Sequence, residues 1–387
     1  MIATPPPLSP GDSSLDSLLA LVAKAHRSSA ETSSLALLYE ELGETRVRRH
    51  AQVNGLEHLV GVVIDEEGLD LSADWRAALD VNRRRVEELV RTATRVGRDL
   101  EKEGCPTALI EGAATLVSTG LPLATYSSQD MDFLVAAGQW TTVVRVLERH
   151  GFAPTDRHRH PTIRTEFQKT TASGDLWLDV GPKPFDRVWT PLTYHDRSSA
   201  WLAERVSGST ADEVNVLRPS HTLALAVMHA SLHSFVRAPG LRLYIDIDRT
   251  VSHRPIDWQS FVDEVRKMHI DTRAYIALTT SQTLLGTRVD PSVLDTLRPS
   301  RVRLHALHRL LRDETPLWSS KRKLPRHKAI ALDACISQES PARWLQSTLV
   351  PPEPWMREHF DRTQKHPPLW MLHVKRLGQG LTRWRPC

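Results

Sequence analysis

Apolar residues recur every three or four positions along roughly the first hundred residues, as in "SLDSLLALVAKAH", "LALLYEELG" and "LEHLVGVVI". This spacing is typical of helices that bury one face. The stretch "DVNRRRVEELVRTATRVGRDLEKEG" predicts one long amphipathic helix that ends at Gly104. We therefore predict a helical N-terminal domain over residues 15–100, after a flexible tail rich in Pro, Ser and Gly over residues 1–14.

After residue 100 the pattern changes to short apolar runs that alternate with helical segments. The runs "PTALIEG", "MDFLVAA", "RTEFQKT" and "DLWLDVG" predict strands. The segments "GAATLVSTG" and "WTTVVRVLERHG" predict helices, each ending at a glycine. Strands and helices in this order predict a compact core with a small mixed sheet over residues 101–218.

Helical spacing returns over residues 219–387, in "LRPSHTLALAVMHASLHSFVR", "DWQSFVDEVRKMH" and "SRVRLHALHRLLRD". About the last 70 residues form a tail rich in Pro, Trp and Arg. We predict a helical C-terminal domain that includes this tail. The expected fold class is therefore α+β, with a small mixed-sheet core flanked by mainly helical N- and C-terminal regions.

Composition and charge change this picture little. Hydrophobic residues make up 40% of the chain and charged residues 25%, as in ordinary globular proteins. The net charge of +4 is weaker than the basic patch of a dedicated duplex-DNA-binding protein, so we predict no duplex-DNA partner. The three cysteines are far apart in the sequence, which argues against a zinc or disulfide scaffold.

The sequence also bears on where the protein works. No apolar stretch reaches the roughly 18 residues of a membrane-spanning helix, so we predict no membrane partner. The opening "MIATPPPLSP" lacks the basic and apolar regions of a signal peptide. Dispersed cysteines fit reduced thiols. We expect a cytoplasmic protein.

Two aspartates one residue apart open the predicted strand "DMDFLV". Asp130 and Asp132 should share one face of this strand, because side chains alternate between faces. Adjacent carboxylates repel each other unless a positive charge lies between them, and oxygen ligands suit Mg²⁺. We predict that Asp179 in "DLWLDVG" completes the site from a neighbouring strand, in preference to Asp175 at the strand edge.

Upstream of these aspartates, Gly112 opens the predicted helix of small residues. The backbone N–H groups in the first turn of a helix lack intrahelical partners, and the helix dipole is positive there. The turn at Gly112 can therefore cradle phosphate groups. A strand, a glycine turn, a helix and then an Asp-x-Asp strand form the layout that nucleotidyl transfer requires.

With these motifs the chain resembles the polymerase-β-type nucleotidyltransferase superfamily, and within it the bacterial uncharacterised nucleotidyltransferase family. That family carries a Lys-Gly turn, a helix and an Asp-Ile-Asp-Leu-Leu-Val strand, where this chain has "LIEGAATL" and "DMDFLV". The segments "LWLDVG", "LALAVMHASLH", "LRLYIDIDRTV", "IDWQSFVDEVRK" and "TLVPPEPWMREHF" follow in the order of the family. The resemblance covers about residues 50–380.

The resemblance implies a Mg²⁺-dependent enzyme that moves a nucleoside monophosphate from an NTP, ATP by default, to an acceptor. The catalytic residues that it implies, which would also bind two Mg²⁺ or Mn²⁺ ions, are Asp130, Asp132 and Asp179. The nucleotide-binding residues that it implies are Gly112, Ala113, Ser127 and Ser128. The expected acceptor is a small molecule, a sugar or a peptide, in bacterial specialised metabolism.

Two departures from the family pattern keep alternatives open. Glu111 stands where the family has a lysine, and the arginine expected just before Asp130 is absent, since "ATYSSQ" is neutral. These differences motivate a second interpretation, a catalytically silent relative that binds a nucleotide or a partner protein. A toxin-like or resistance-type nucleotidyltransferase is a further alternative.

Four histidines raise further hypotheses. His229 and His233 lie four residues apart on one face of a predicted helix. That spacing can hold zinc, but "HASLH" lacks the glutamate of the zinc-protease motif, so we favour residues of the core or the substrate cleft. His158 and His160 fall in "DRHRHPTIR", which we predict to be a solvated loop or, alternatively, a lip over the nucleotide.

Overall fold

The structure is a computed structural model, and the part described here is residues 14–127, 130–155, 164–185, 195–208, 214–237, 239–312, 314–317, 324–338, 340–360 and 367–383. Helices come first, a mixed sheet follows, and a second set of helices ends the chain. This arrangement confirms the predicted α+β fold class.

Five helices precede the sheet: α1 (Ser14–Ala23), α2 (Ser29–Leu42), α3 (Glu44–Val53), α4 (Glu57–Glu66) and α5 (Ala73–Lys102). Local sequence explains several of their ends. Ser28 accepts a hydrogen bond from the backbone of Glu31, whose side chain bonds back to the Ser28 N–H, so a capping box begins α2. Ser72 caps α5, the long helix that the sequence predicts.

The sheet has seven strands: β1 (Thr107–Ile110), β2 (Asp130–Val135), β3 (Ala153–Pro154), β4 (Thr165–Thr171), β5 (Gly174–Gly181), β6 (Val206–Ser207) and β7 (Asn215–Val216). Their order is β3-β4-β5-β2-β1-β7-β6. Strand β2 is antiparallel to β1 but parallel to β5, so the sheet is mixed, as predicted. Helices α6 (Glu111–Thr119), α7 (Trp140–Arg149) and α8 (Ser198–Ala203) lie between the strands in sequence.

The two faces of the sheet pack against different helices. Met131 and Phe133 of β2 lie in an apolar cluster with residues of α5, α6 and α7. Leu134 points to the opposite face, because side chains alternate along a strand. There it joins a larger cluster built from the helices that precede and follow the sheet. Asp130 and Asp132 lie an even number of residues from Leu134, so their side chains are on the same face of β2 as Leu134, toward the helices that precede and follow the sheet.

Among the residues that the structure describes, ten helices follow the sheet: α9 (Pro219–Leu232), α10 (Leu241–His253), α11 (Trp258–Met268), α12 (Asp271–Leu285), α13 (Pro291–Leu297), α14 (Arg301–Leu311), α15 (Arg326–Ile336), α16 (Pro341–Leu349), α17 (Glu353–Phe360) and α18 (Leu369–Arg383). Helices α9 and α10 both contact α6, which brings them to the edge where β1 ends. The domain boundaries expected from the sequence stay predictions.

Helix α10 is also tied to the N-terminal helices. Buried Asp248 on α10 accepts a hydrogen bond of 2.8 Å from the backbone N–H of Ala25, which follows α1. It accepts a second one of 2.7 Å from the hydroxyl of Thr287, which follows α12. These bonds fix the position of α10 relative to both neighbours.

Within the described ranges, no helix combines the length and the apolar character needed to cross a lipid bilayer.

Candidate active site

Three carboxylates share one face of two neighbouring strands. The parallel pairing of β2 with β5 places Asp132 directly opposite Asp179. Asp130 lies two residues earlier on β2, opposite Trp177. The alternation that sequence analysis used for Asp130 and Asp132 is therefore present, and Asp179 lies where the neighbouring strand was expected to supply a carboxylate. We call Asp130, Asp132 and Asp179 the carboxylate cluster; its role in metal binding stays a prediction.

Arg164 lies against this cluster and is only 4% exposed. Its Nε is 3.2 Å from Oδ2 of Asp179. Its Nη2 donates to the Asp132 carboxylate and, at 2.8 Å, to the backbone carbonyl of Asp179. The solvated loop predicted over residues 156–164 is therefore wrong for Arg164, because its guanidinium pairs with two buried acids. Residues 156–163, with His158 and His160, lie outside the described part of the chain.

Gly181 makes room for Arg164. Strand β4 pairs with β5 so that Thr165 is opposite Val180, which places Arg164 beside Gly181. A Cβ atom on Gly181 would lie 2.7 Å from Cγ and 2.8 Å from Cα of Arg164. A glycine within a strand, such as the one that ends "LWLDVG", can indicate that another residue packs closely against its backbone. Only the β4–β5 register identifies that residue as Arg164.

The carboxylate cluster holds more negative charge than Arg164 neutralises. Burial, together with the charges of Glu111, Asp130 and Asp179, raises the pKa of Asp132 well above its usual range, although Arg164 opposes this. Burial alone would lower the pKa of Arg164, but Asp179 and Asp132 hold it above its usual value. One cation is thus surrounded by several acids, and further positive charge would stabilise the site.

The chemistry of these donors fits a hard divalent cation. The Oδ1 atom of Asp179 is buried and has no hydrogen-bond partner in the part of the chain described. A carboxylate oxygen in that state, beside uncompensated negative charge, suits Mg²⁺. In those same ranges no three His, Cys, Asp or Glu side chains are grouped closely enough to hold a metal ion. Because Arg164 contacts both Asp132 and Asp179, a metal ion would share these carboxylates with it or displace it.

Glu111 begins α6 directly after β1 ends. Its φ of 57° lies in the left-handed region, which is strained for residues other than glycine and often marks functional sites. Its Oε2 is 3.2 Å from Nδ1 of His229 on α9. Burial raises the pKa of Glu111 to about 7 and lowers the pKa of His229 to about 4. At neutral pH Glu111 is therefore about half ionised and lies beside a neutral imidazole.

The predicted cleft histidines lie on the same side. The ring of His229 is 4.9 Å, centroid to centroid, from the ring of His233. It is also 6.1 Å from the ring of Phe185, which follows β5. His229 thus contacts Glu111, the residue that follows β1. Contact of either histidine with a substrate stays a prediction.

The predicted nucleotide-binding residues occupy one turn and one loop. Gly112 and Ala113 are buried in the first turn of α6. Ser127 is half-buried in the loop before β2, and Ser128 lies outside the described residues. Gly112 and Ser127 line a common cleft, so the turn and the loop are neighbours in space as well as in the predicted function.

Helix α5 fixes the loop that leads into β2. The side-chain amide of Asn82 donates hydrogen bonds of 3.0 Å to the carbonyls of Ala124 and Tyr126. The Tyr126 hydroxyl then donates, at 3.0 Å, to the carbonyl of Asp130. Arg85 on α5 donates to Asn82 at 2.8 Å and interacts electrostatically with Asp130. Sequence analysis did not identify these residues, because their partners are about 40 residues away.

Comparisons with known proteins give one family match. A family model described as "Uncharacterised nucleotidyltransferase" matches residues 40–286, which is more than half of the chain. Among solved structures, the chain is similar to an antigenic nucleotidyltransferase-like protein from Paracoccidioides brasiliensis. The identity is 17%, the match covers 55% of this chain and 93% of that chain, and the TM-score is 0.35. A search of curated proteins gave no match.

Proposed function

The chain belongs to the uncharacterised nucleotidyltransferase family, and from this premise we propose a Mg²⁺-dependent transfer of a nucleoside monophosphate from an NTP to an acceptor. The observation that carries the proposal is the β2–β5 register, which brings Asp132 beside Asp179 with Asp130 on the same face. Acidic residues on adjacent rigid strands provide the fixed oxygen ligands that phosphoryl-transfer sites need.

In this proposal the carboxylate cluster holds two Mg²⁺ ions, or Mn²⁺ in their place. The bound metal supplies the positive charge that neutralises the phosphates of the NTP. An acceptor oxygen attacks the α-phosphorus, the bond from that phosphorus to pyrophosphate breaks, and Asp179 takes the acceptor proton. The unpartnered Oδ1 of Asp179 supports that role, because it can accept a hydrogen bond without losing one.

The nucleotide is assigned to the cleft beside the carboxylate cluster. Gly112 and Ala113 offer backbone N–H groups in the first turn of α6, where the helix dipole favours phosphate. Ser127, and Ser128 next to it in sequence, would add hydroxyl donors. ATP is the default donor, and a cytoplasmic location, where NTP is available, belongs to the same proposal.

Metal-dependent nucleotide binding is the direct test. We would titrate the four NTPs into the protein by calorimetry, with Mg²⁺ and with EDTA. Binding should require Mg²⁺ and should fall at least tenfold in Asp132→Asn and Asp179→Asn. Asp175→Asn is the matched control, because this exposed aspartate lies on the same strand and, among the described residues, its side chain accepts a hydrogen bond only from Thr170. If Asp132→Asn and Asp179→Asn bound NTP as tightly as the wild type, the assignment of the metal site would be overturned.

A second candidate is a relative that binds a nucleotide without transferring it. Two observations favour it: Glu111 replaces the lysine of the family, and Arg164 already neutralises part of the carboxylate cluster. NTP binding that persists in EDTA, with no pyrophosphate released in the presence of acceptors, would support this candidate. The proposed acceptor is a small molecule, a sugar or a peptide in specialised metabolism, and a toxin-like or resistance-type role is the alternative.

A further inference from the structure

The cleft lined by Gly112 and Ser127 lies beside the carboxylate cluster, between α6 and α10. Its polar lining comes from the first two turns of α6, from the loop before β2 and from α10, and includes Gly112, Thr115, Ser127, Arg242, Asp246 and Arg249. Of the nucleotide-binding residues expected from the sequence, Gly112 and Ser127 line this cleft, on the side formed by α6 and the loop before β2. The opposite wall, on α10, contributes two arginines; we call this site the arginine cleft.

Arg242 forms the wall nearest to the carboxylate cluster. Its guanidinium lies over the ring of Tyr126, 5.4 Å from the ring centroid. A Cβ atom on Gly112 would be 3.5 Å from its Nη2, so the guanidinium lies against the first turn of α6. Within the described residues the guanidinium of Arg242 makes no hydrogen bond or ion pair. Its donors are therefore available to a ligand.

Arg249 lies seven residues later, two turns along the same face of α10. Its Nε is buried and has no hydrogen-bond partner in the described part of the chain. A buried donor without a partner is unfavourable, and an acceptor that enters the cleft would remove that cost. Arg249 and Arg242 thus present unsatisfied guanidinium donors to one space.

The balance of charge in the cleft favours an anion. Two guanidiniums line it against a single carboxylate, that of Asp246. Burial raises the pKa of Asp246 to about 6, against the opposing effect of Arg242. The nearby Asp248 does not line the cleft, since it accepts hydrogen bonds from Ala25 and Thr287. The positive end of the α6 dipole adds to the same field.

We propose that the arginine cleft binds a phosphate group and that Arg242 and Arg249 are its side-chain ligands. Planar guanidiniums bind phosphate through paired N–H donors, which a lysine cannot reproduce. The inference rests on the proposed function, because the phosphate belongs either to the polyphosphate of the NTP or to a phosphate ester on the acceptor. It accounts for Glu111 in the place of the family's lysine: the positive charge comes from α10 instead.

Inorganic tripolyphosphate in EDTA is the probe, because it requires neither the metal nor the base of a nucleotide. Calorimetry on the full-length protein should detect its binding to the wild type. Affinity should fall about tenfold or more in Arg242→Gln and in Arg249→Gln, since each change removes a charged hydrogen-bond donor. Arg254→Gln is the matched control, because Arg254 caps the same helix but bonds to the carbonyl of Ser118 outside the cleft.

Arg249→Lys serves as a second variant if the glutamine variant does not fold. It keeps the charge but loses the planar fork, so its affinity for tripolyphosphate should fall between those of the wild type and Arg249→Gln. No binding by the wild type, or equal binding by the wild type, Arg242→Gln and Arg249→Lys, would overturn the proposal.

Competition then identifies the source of the phosphate. If an NTP with Mg²⁺ displaces tripolyphosphate, the cleft holds the donor's phosphates; if both bind together, it holds a phosphate on the acceptor. Asp132→Asn separates this inference from the proposed function. It should abolish metal-dependent NTP binding and leave tripolyphosphate binding in EDTA intact.

Discussion

The carboxylate cluster and the arginine cleft are neighbours with opposite composition. The first holds three carboxylates and one guanidinium, that of Arg164, which pairs with Asp132 and Asp179. The second surrounds one carboxylate, that of Asp246, with two guanidiniums. Tyr126 separates them, since its hydroxyl bonds to the Asp130 carbonyl while its ring lies under Arg242.

This difference shows how one site can attract two kinds of ligand. A buried excess of carboxylates favours a cation, and a buried excess of guanidiniums favours an anion. If both excesses lay in one undivided group, they would neutralise each other as internal ion pairs. The ring of Tyr126 lies between the two groups, so Arg242 forms no ion pair with Asp130 or Asp132 in the described part of the chain, although their charges still raise its pKa.

Removal of Arg164 should have the largest effect on stability. Arg164→Met leaves the buried carboxylates without their counter-ion, and loss of one partner of a buried pair costs about 3–5 kcal/mol. The cost should shrink as the pH falls from 8 to 5, because protonation removes the uncompensated charge. Added Mg²⁺ should restore part of the stability by taking the place of the guanidinium. Urea unfolding at the two pH values measures both effects.

The matched control for that experiment is Arg145→Met. Arg145 forms an exposed ion pair with Glu103, so its loss should cost less than about 1 kcal/mol at either pH. A loss in Arg164→Met as small as that of the control would mean that Arg164 does not compensate the carboxylate cluster.

Gly181→Ala, which would displace Arg164 without removing its charge, should cause the next largest loss of stability. In Gly181→Ala the new Cβ would lie 2.8 Å from the backbone Cα of Arg164, and backbone cannot move aside easily. We expect a loss of about 2–3 kcal/mol, within the range found for overpacked cores. Chemical denaturation measures it. Gly97→Ala is the control, because φ is not positive at either glycine and the methyl group added at Gly97 would meet only side-chain atoms, at 3.3 Å or more.

Glu111 should give a smaller effect that depends on pH. Its folded-state pKa of about 7 is above the usual value, so the folded protein holds a proton that the unfolded chain releases. The contribution of Glu111 to stability is therefore present at low pH and is lost as the pH rises toward 7 and above. Glu111→Gln should match the wild type near pH 4 and should have the higher free energy of unfolding at pH 8. Equal stability at pH 8 would contradict the raised pKa.

The smallest expected effect is that of Gly112→Ala. The added methyl group would be 3.3 Å from Cε2 of Tyr126, a tight contact that a small movement of the ring relieves. Alanine also favours the helix by about 1 kcal/mol, so the net change in stability should stay below about 1 kcal/mol. Tripolyphosphate affinity should nevertheless fall, because the methyl group enters the arginine cleft between Tyr126 and Arg242. Unchanged affinity would mean that ligands do not approach the first turn of α6.

The carboxylate cluster could be predicted from local sequence, whereas its counter-ion could not. Alternation along a strand has a period of two residues, so "DMDFLV" alone places Asp130 and Asp132 on one face. A single aspartate between apolar neighbours indicated Asp179 in the same way. Arg164 comes into contact through the pairing of β4 with β5, and no local pattern specifies which residue faces Gly181.

The arginine cleft was missed for a related reason. A helical pattern shows that α10 has a buried face, but not which element covers it. Arg242 and Arg249 look like ordinary charged positions in "LRLYIDIDRTV" until α10 is packed against α6. Glu111 stands where the family has a lysine, and nothing near it in the sequence indicates Arg242, which follows about 130 residues later.

The hydrogen bonds of Asp248 have a consequence for evolution and engineering. They anchor α10 to Ala25 and Thr287, so the helices around the site act as its frame. Folding then fixes the orientation of α10, which carries Arg242 and Arg249, so the binding of a ligand does not include the entropic cost of ordering this helix. Substitutions in the N-terminal helices, far from any reacting atom, can therefore tune affinity for phosphate while leaving the chemistry on β2 and β5 untouched.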